Sequence, residues 1–170
     1  MREISIRNVS EEDLEIIVDL NASEIHYTSL MDLERLRFLN SISEYHKVAM
    51  VDKILAGFLL VMRNDCGYVN DNFDWFASRY KSFLYIDRIV IDRNYRGLML
   101  GSILYEDLFH FAQEERIPYI ACEYNIVPLN KPSRSLHDKF SFRQVGTQWL
   151  YNHTKKVSLQ IAKTFHNNTQ

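Results

Sequence analysis

Cysteine is nearly missing from this chain of 170 residues. Cys66 and Cys122 are the only two, too few and too far apart for a disulfide framework or a zinc knuckle. A reducing, cytoplasmic setting is therefore expected. No apolar run approaches the roughly 20 residues that span a bilayer; the longest, Ile54 to Met62, is broken at Gly57. The opening MREISIRNVSEEDLE starts directly on an alternating pattern, so no signal peptide is expected. Excess charge is lacking too: a net −2 offers no general attraction for nucleic acid or an anionic membrane. The five glycines and three prolines form no low-complexity tract, and no internal repeat is evident. GxxxxGK(S/T) is absent, which excludes a nucleoside triphosphate P-loop, and no GxGxxG follows a first strand, which argues against a dinucleotide fold. What remains is an ordinary globular balance of 46% apolar and 25% charged residues, with an aromatic-rich 13%. That predicts one domain over 1–170, large enough to bury a single core.

Periodicity supplies the elements. Ile4 and Ile6 alternate with polar neighbours, predicting a first strand. Ser10 reads as an N-cap followed by Glu11, Glu12 and Asp13 at the positive end of a helix whose stripe is Leu14, Ile17, Val18 and Leu20. A second helix is predicted over Asp32 to Ser43, and HKVAMVDKILAGFLLVM reads as a hairpin turning at Asp52-Lys53. Residues 63–82 break the pattern and carry an aromatic group, Phe73, Trp75, Phe76 and Tyr80. A loop of this length is either functional or underlain by a satellite core. A strand over 83–91, a helix burying Leu100, Ile103, Leu104, Leu108 and Phe111 and ending near Ile117-Pro118, and the strand YIACEYNIV follow. Asn130 and Pro132 open a short helix, and two arms, FRQVGTQWLYN and TKKVSLQIAKTF, close the chain as a hairpin before a tail, HNNTQ, expected to fray. The order β-α-α-β-β-(insert)-β-α-β-α-β-β predicts an α/β mixed sheet with helices on both faces, its fourth and fifth strands parallel because a helix crosses between them.

The junction IVIDRNYRGLMLGSILYEDLF, residues 89–109, is the chemically informative stretch. A β-branched run meets a polar turn, Gly97 and Gly101 bracket Leu98-Met99-Leu100, and a helical pattern begins. A helix start presents N–H groups with no internal partner and a positive partial charge. Gly97 permits an unusual backbone angle and close approach, and Gly101 close packing in the first turn. Together they describe an anion site, although two glycines at a helix start can equally serve tight packing.

NYRGLMLGSIL resembles the acyl-CoA-binding signature of the GNAT superfamily of N-acyltransferases, (R/Q)xxGx(G/A), with Arg96 first, Met99 where the middle glycine is expected, and Gly101 last. NKPSRSLHDKFSF is similar to that superfamily's Nxx(A/S)xxL(Y/F)xKxGF, matching at Asn130, Ser133, Leu136, Lys139 and Phe142. IRNVSEEDLEII is typical of the group's opening, and YIDRIVI and CEYN resemble a bacterial branch of predicted acetyltransferases. The resemblance implies a mixed, mostly antiparallel sheet whose parallel fourth and fifth strands splay. Acyl-pantetheine would lie in the gap on backbone bonds from Ile89, Val90 and Ile91 and a contact from Asn125. The pyrophosphate of coenzyme A would lie on Arg96, Gly97, Leu98, Met99, Leu100, Gly101 and Ser102, and Asn130 and Ser133 complete the expected cofactor contacts. Methionine at 99 is expected just inside the helix, where it is a better helix former than glycine and leaves the cradle intact.

Acyl transfer from a thioester needs a deprotonated amine, a fixed donor for the oxyanion and a tolerable thiolate leaving group. Asp87 and Glu123 are conspicuous because an acid inside an apolar strand is costly unless paired or solvated. Either can be the base, Glu123 being favoured for its longer reach; either can instead be an ion-pair partner of Arg88 or of a neighbouring basic residue. His137 stands where the superfamily has tyrosine, which puts the proton-donor role in doubt, since a histidine near 6.5 is mostly neutral. It reads equally as a surface or half-buried helix histidine. Histidines 26, 46, 110, 153 and 166 show no metal-ligand spacing, so no metal is expected. The resemblance implies an acetyl-CoA-dependent N-acetyltransferase acting on a primary amine of a small molecule or peptide. Residues 22–43 and 63–82 would shape the acceptor pocket, and Asp65, Asp71 and Asp74 would draw a cationic acceptor or simply face solvent. Acetyl-CoA and an amine are the expected partners, with no nucleic acid and no membrane, and a homodimer is compatible with the reading. The alternative is a non-catalytic acyl-CoA sensor or interaction module that kept the cradle.

Overall fold

The computed structural model describes residues 2–24 and 28–165; His26, His166 and the tail HNNTQ lie outside that range. Seven strands, β1 (Ile4–Asn8), β2 (Tyr45–Val51), β3 (Ile54–Arg63), β4 (Leu84–Ile91), β5 (Tyr119–Val127), β6 (Arg143–Leu150) and β7 (Lys155–Lys163), form one sheet in the order β1-β2-β3-β4-β5-β7-β6. Five α-helices accompany them among the described residues: α1 (Leu14–Ser23), α2 (Leu33–Ile42), α3 (Asp71–Ala77), α4 (Leu100–Glu114) and α5 (Lys131–Lys139). The predicted order holds, and so does the parallel pairing of β4 with β5, recorded at Leu84↔Ile120 and Tyr85↔Ala121. β1 with β2, β2 with β3, β5 with β7 and β6 with β7 run antiparallel. No described helix is long and apolar enough to cross a membrane. The chain divides into two compact units, one of residues 1–62 with 87–107, the other of 63–86 with 108–170.

In the first unit Ser10 ends the β1 segment and starts a 3-10 turn that runs into α1. Its backbone N–H and its hydroxyl both donate to the Asp13 carboxylate, at 2.7 and 2.9 Å, and Arg7 donates to the same group at 2.6 and 2.9 Å. Arg7, opposed by burial and helped by Ser10, pulls the Asp13 carboxyl down to about 2. Asp13 therefore closes a capping box rather than simply facing the helix dipole. Leu14, Ile17 and Leu20 are buried as predicted while Val18 is half-buried; in α2, capped by Asp32 accepting from Arg35 N–H at 2.7 Å, the core side is Leu36 and Leu39. The β2–β3 hairpin turns on Asp52 and Lys53, with φ of 48° and 69°, the pair of left-handed angles that matches strand twist.

In the second unit the aromatic insert is not irregular throughout. Asn70 accepts from the N–H groups of Asn72 and Phe73 at 2.9 and 3.3 Å, and α3 begins there. Phe73 and Phe76 are buried, and both rings pack on Tyr85 of β4, at 5.4 and 6.1 Å between centroids. Tyr68 lies 6.1 Å from the same ring. The satellite-core reading describes these residues. Each ring taken from water contributes roughly 1.5–3 kcal/mol, and the product of that packing is an immobilised Tyr85. Along α4, whose residues 100–107 belong to the first unit and 108–114 to the second, Leu100, Leu104 and Leu108 are buried as predicted, but Ile103 and Phe111 are half-buried and Tyr105 and Ala112 are buried instead. β7, not β6, lies beside β5.

Candidate functional site

The first unit holds residues 96–102, the segment expected to meet a phosphate. Asp92 accepts from Asn94 N–H at 2.8 Å and starts a 3-10 turn over Arg93–Tyr95. Arg96 is extended, and Gly97 then turns the chain at φ +84° with nothing within 4 Å of where a Cβ would stand. Glycine is needed there for its angle, and the space beside it is open to a ligand. α4 starts at Leu100, and the Met99 carbonyl accepts from Ile103 N–H at 3.0 Å. Met99 is therefore the residue before the helix, at φ +60° and 61% exposed. This corrects the expectation that it lies inside the helix at ordinary angles: a left-handed angle costs a side-chain-bearing residue about 1–2 kcal/mol. Ser141, where the second signature calls for glycine, has φ +59°. Both positions at which this chain departs from the signatures' glycines keep the glycine-type backbone.

Helical geometry leaves the N–H groups of the first turn of α4 without intrahelical acceptors, and the dipole makes that end positive. With an open Gly97 beside it, this backbone fits a diphosphate, which Leu98, Met99, Leu100, Gly101 and Ser102 would line. Arg96 is already engaged. Its Nη2 donates to Glu24 Oε2 at 2.8 Å, and Arg93 donates to the other oxygen at 3.4 Å. The Glu24 side chain is only 7% exposed, whereas the arginine side chains are mostly open. Sequence reasoning missed Glu24, whose position at the end of α1 gives no local signal.

Along β4, Val90 is buried and Ile89 and Ile91 are half-buried. Asp87 forms an ion pair with Arg88, Nε to Oδ2 at 2.8 Å, with both side chains largely buried. Arg88 reaches on to Asn21 Oδ1 at 3.0 Å and to the Ser29 carbonyl at 3.1 Å. The guanidinium thus joins β4 to α1 and the chain beyond it, and Asp87 supplies a matching charge.

In the second unit, Glu123 is half-buried on β5. The Tyr85 hydroxyl donates into the fork of its carboxylate, 2.7 Å from Oε2 and 2.9 Å from Oε1. Tyr85 pairs with Ala121, and Glu123 lies on the same face two residues on. The crossover predicted that these strands are neighbours; the register that joins this tyrosine to this acid was not legible. Asn125 stands near the end of β5, and its carbonyl accepts from Asn130 N–H at 2.9 Å. Asn130 Oδ1 accepts from Ser133 N–H at 3.2 Å, capping α5 as predicted.

His137 is buried, with its ring stacked on Tyr124 at 5.5 Å and edge-on to Phe142 at 5.0 Å. Its Nδ1 lies 2.7 Å from the Ser133 carbonyl. A carbonyl only accepts, so Nδ1 carries the proton. Burial pushes the ring down to about 4, against the Ser133 carbonyl and the Asp138 charge. At neutral pH the imidazole is uncharged and Nε2 carries no proton to give. Among the described residues, no group of three or more His, Cys, Asp or Glu is placed to hold a metal ion.

Residues 13–142 match the model of the Acetyltransferase (GNAT) family. No curated protein matches the chain. Among solved structures, Ard1 from Thermoplasma volcanium is similar with a TM-score of 0.78 at 14% identity, covering 96% of this chain and 99% of its own. The GNAT-family acetyltransferase of Streptococcus pneumoniae gives 0.71 at 21% identity, over 95% and 99%. The yncA protein of Salmonella typhimurium, solved with its cofactor acetyl-CoA, gives 0.71 at 13% identity, over 98% and 96%. At these identities the likeness speaks for the fold.

Proposed function

Because the chain belongs to the GNAT acetyltransferase family, we propose that it moves the acetyl group of acetyl-CoA to a primary amine of a small molecule or peptide, as one N-acetyltransferase domain in the cytoplasm. The family membership makes it an acetyl-CoA-dependent acetyltransferase; the amine, the base and the compartment are our reading. One observation carries it: an open, left-handed Gly97 three residues ahead of the first residue of a 15-residue helix, a backbone arrangement suited to a diphosphate.

Acetyl-CoA supplies an activated acyl carbon on a thiolate leaving group. The chain's own residues do the rest. Residues 96–102 hold the diphosphate, and the backbone of Ile89, Val90 and Ile91 orients the pantetheine arm. Glu123, directly or through one water, takes a proton from the ammonium of the acceptor; the neutral nitrogen forms the new C–N bond, the C–S bond breaks, and the nitrogen gives up its second proton to solvent. Glu123 is preferred to Asp87 because the Asp87 carboxylate is committed to Arg88 inside a buried pair. His137 is given a packing role at Ser133 and Tyr124, and the departing thiolate, weakly basic as thiols are, takes its proton from solvent.

Isotope-labelled acetyl-CoA offered to a mixed library of amines and peptides tests the proposal. Label on an amine nitrogen supports it and eliminates a non-catalytic sensor. Binding of acetyl-CoA without turnover on any amine would leave the sensor standing instead. Glu123→Gln is expected to lower turnover at least about 100-fold with CoA affinity near normal.

A further inference from the structure

We infer that Tyr85 is the positioning residue of the base: its hydroxyl fixes the orientation of the Glu123 carboxylate, and the 63–82 insert exists in part to hold that tyrosine still. This rests on the reading of Glu123 as the base. The hydroxyl lies across the carboxylate fork, 2.7 and 2.9 Å from the two oxygens. A hydroxyl has one proton, and in this position it is shared between both oxygens. The plane of the carboxylate is thereby set by a donor that touches both of its oxygens.

The tyrosine has little freedom of its own. It is 1% exposed, and three rings of the insert surround it: Phe73 edge-on at 5.4 Å and 81°, Phe76 at 6.1 Å and Tyr68 at 6.1 Å. A phenol held by edge and tilted contacts keeps its donor hydrogen in place far better than a flexible lysine ammonium would. The aromatic group in the insert, conspicuous in sequence, thus acts on the reaction at one remove. It fixes Tyr85, and Tyr85 fixes Glu123.

The bond also has a sign. Hydrogen bonding to the charged form favours it and lowers the carboxyl pKa, against the burial that would raise it. A base kept ionised stays competent at lower pH. Removing the hydroxyl while keeping the ring should raise the carboxyl pKa and loosen its orientation.

The experiment is a carbon-13 titration of the glutamate side-chain carboxyls in wild type and Tyr85→Phe, with Glu123 identified by its missing signal in Glu123→Gln. The expected result is a Glu123 midpoint about one pH unit higher in Tyr85→Phe, with the fold intact by amide spectra and melting. An unchanged midpoint overturns the inference. On an amine found by the labelled-donor screen, the acid limb of kcat/KM should move up with it, with kcat reduced and the KM for acetyl-CoA within about twofold. In a Glu123→Gln background Tyr85→Phe should add no further loss; an additive loss would mean that Tyr85 acts elsewhere. Full turnover by Glu123→Gln would overturn the choice of base, even with the midpoint moved.

Discussion

Glu24 and Arg96 form a 2.8 Å ion pair in which the carboxylate is buried and the guanidinium half open. Arg96 is the side chain assigned to the diphosphate, so an incoming anion must share it with Glu24 or displace it. Glu24→Gln keeps the shape and removes the competing charge. CoA should then bind about two- to fivefold more tightly by calorimetry, the range expected for releasing a partly exposed pair. Weaker binding would show that Glu24 aims Arg96 at its ligand rather than competing for it.

Gly97 and Met99 both occupy left-handed angles, at φ +84° and +60°, and they should respond oppositely to substitution. Met99→Gly relieves a strain of about 1–2 kcal/mol, offset by about 0.5–1 kcal/mol of added freedom in the unfolded chain. Urea unfolding should show a gain of about 0–1.5 kcal/mol, with CoA affinity retained. Gly97→Val forces a β-branched residue into the same region and should weaken CoA at least about tenfold. Equal CoA affinity in Gly97→Val would count against the cradle.

Two buried histidines set the acid stability. His137 is pushed down to about 4 by burial, opposed by the Ser133 carbonyl and Asp138. His46, whose Nδ1 meets Asn40 Oδ1 at 2.8 Å and whose Nε2 finds no partner among the described residues, is likewise pushed to about 4 by burial, opposed by Asp13. Both stay neutral in the fold, while in the unfolded chain they charge near 6.5. The unfolded state therefore binds more protons between pH 6.5 and 4, and stability falls as pH drops through that window. Below it, Asp13 continues the loss between about 4 and 2, as its carboxyl, lowered to about 2 by Arg7, is finally protonated. Urea midpoints should be flat above pH 7 and decline from 6.5 downward, and His137→Phe should reduce that slope. A flat profile from 7 to 5 would contradict the burial assignment.

The strands were legible because alternation and turn residues both mark them, and α2 and α5 because Asp32 and Asn130 cap them. α3 was not, since seven residues hold barely two turns and show no resolvable period; its one signal was Asn70 ahead of an apolar pair. Met99 misled because helix propensity ranks side chains at helical angles and says nothing of the residue one step before the helix. The parallel neighbours β4 and β5 followed from chain connectivity, yet the Tyr85–Glu123 bond depends on register, which packing sets. The same holds for β7 beside β5: the closing hairpin was readable, the choice of inner arm was not.

Gly146 shows how one such packing choice can be probed. It lies on β6, and a Cβ built there would stand 2.7 Å from Trp75 Cζ2 and 3.2 Å from Cη2. Trp75 is half-buried, and the Arg79 guanidinium covers its ring at 4.0 Å. An indole is rigid, so Gly146→Ala can be accommodated only by moving the whole side chain and disturbing the arginine stack. In a Trp149→Phe background, where Trp75 is the only tryptophan left, the emission should shift to the red, and stability should fall by about 1–3 kcal/mol as for other overpacked contacts. Trp75→Leu should restore tolerance of alanine at 146. If Gly146→Ala alone leaves both emission and urea midpoint unchanged, the α3–β6 contact is not as drawn.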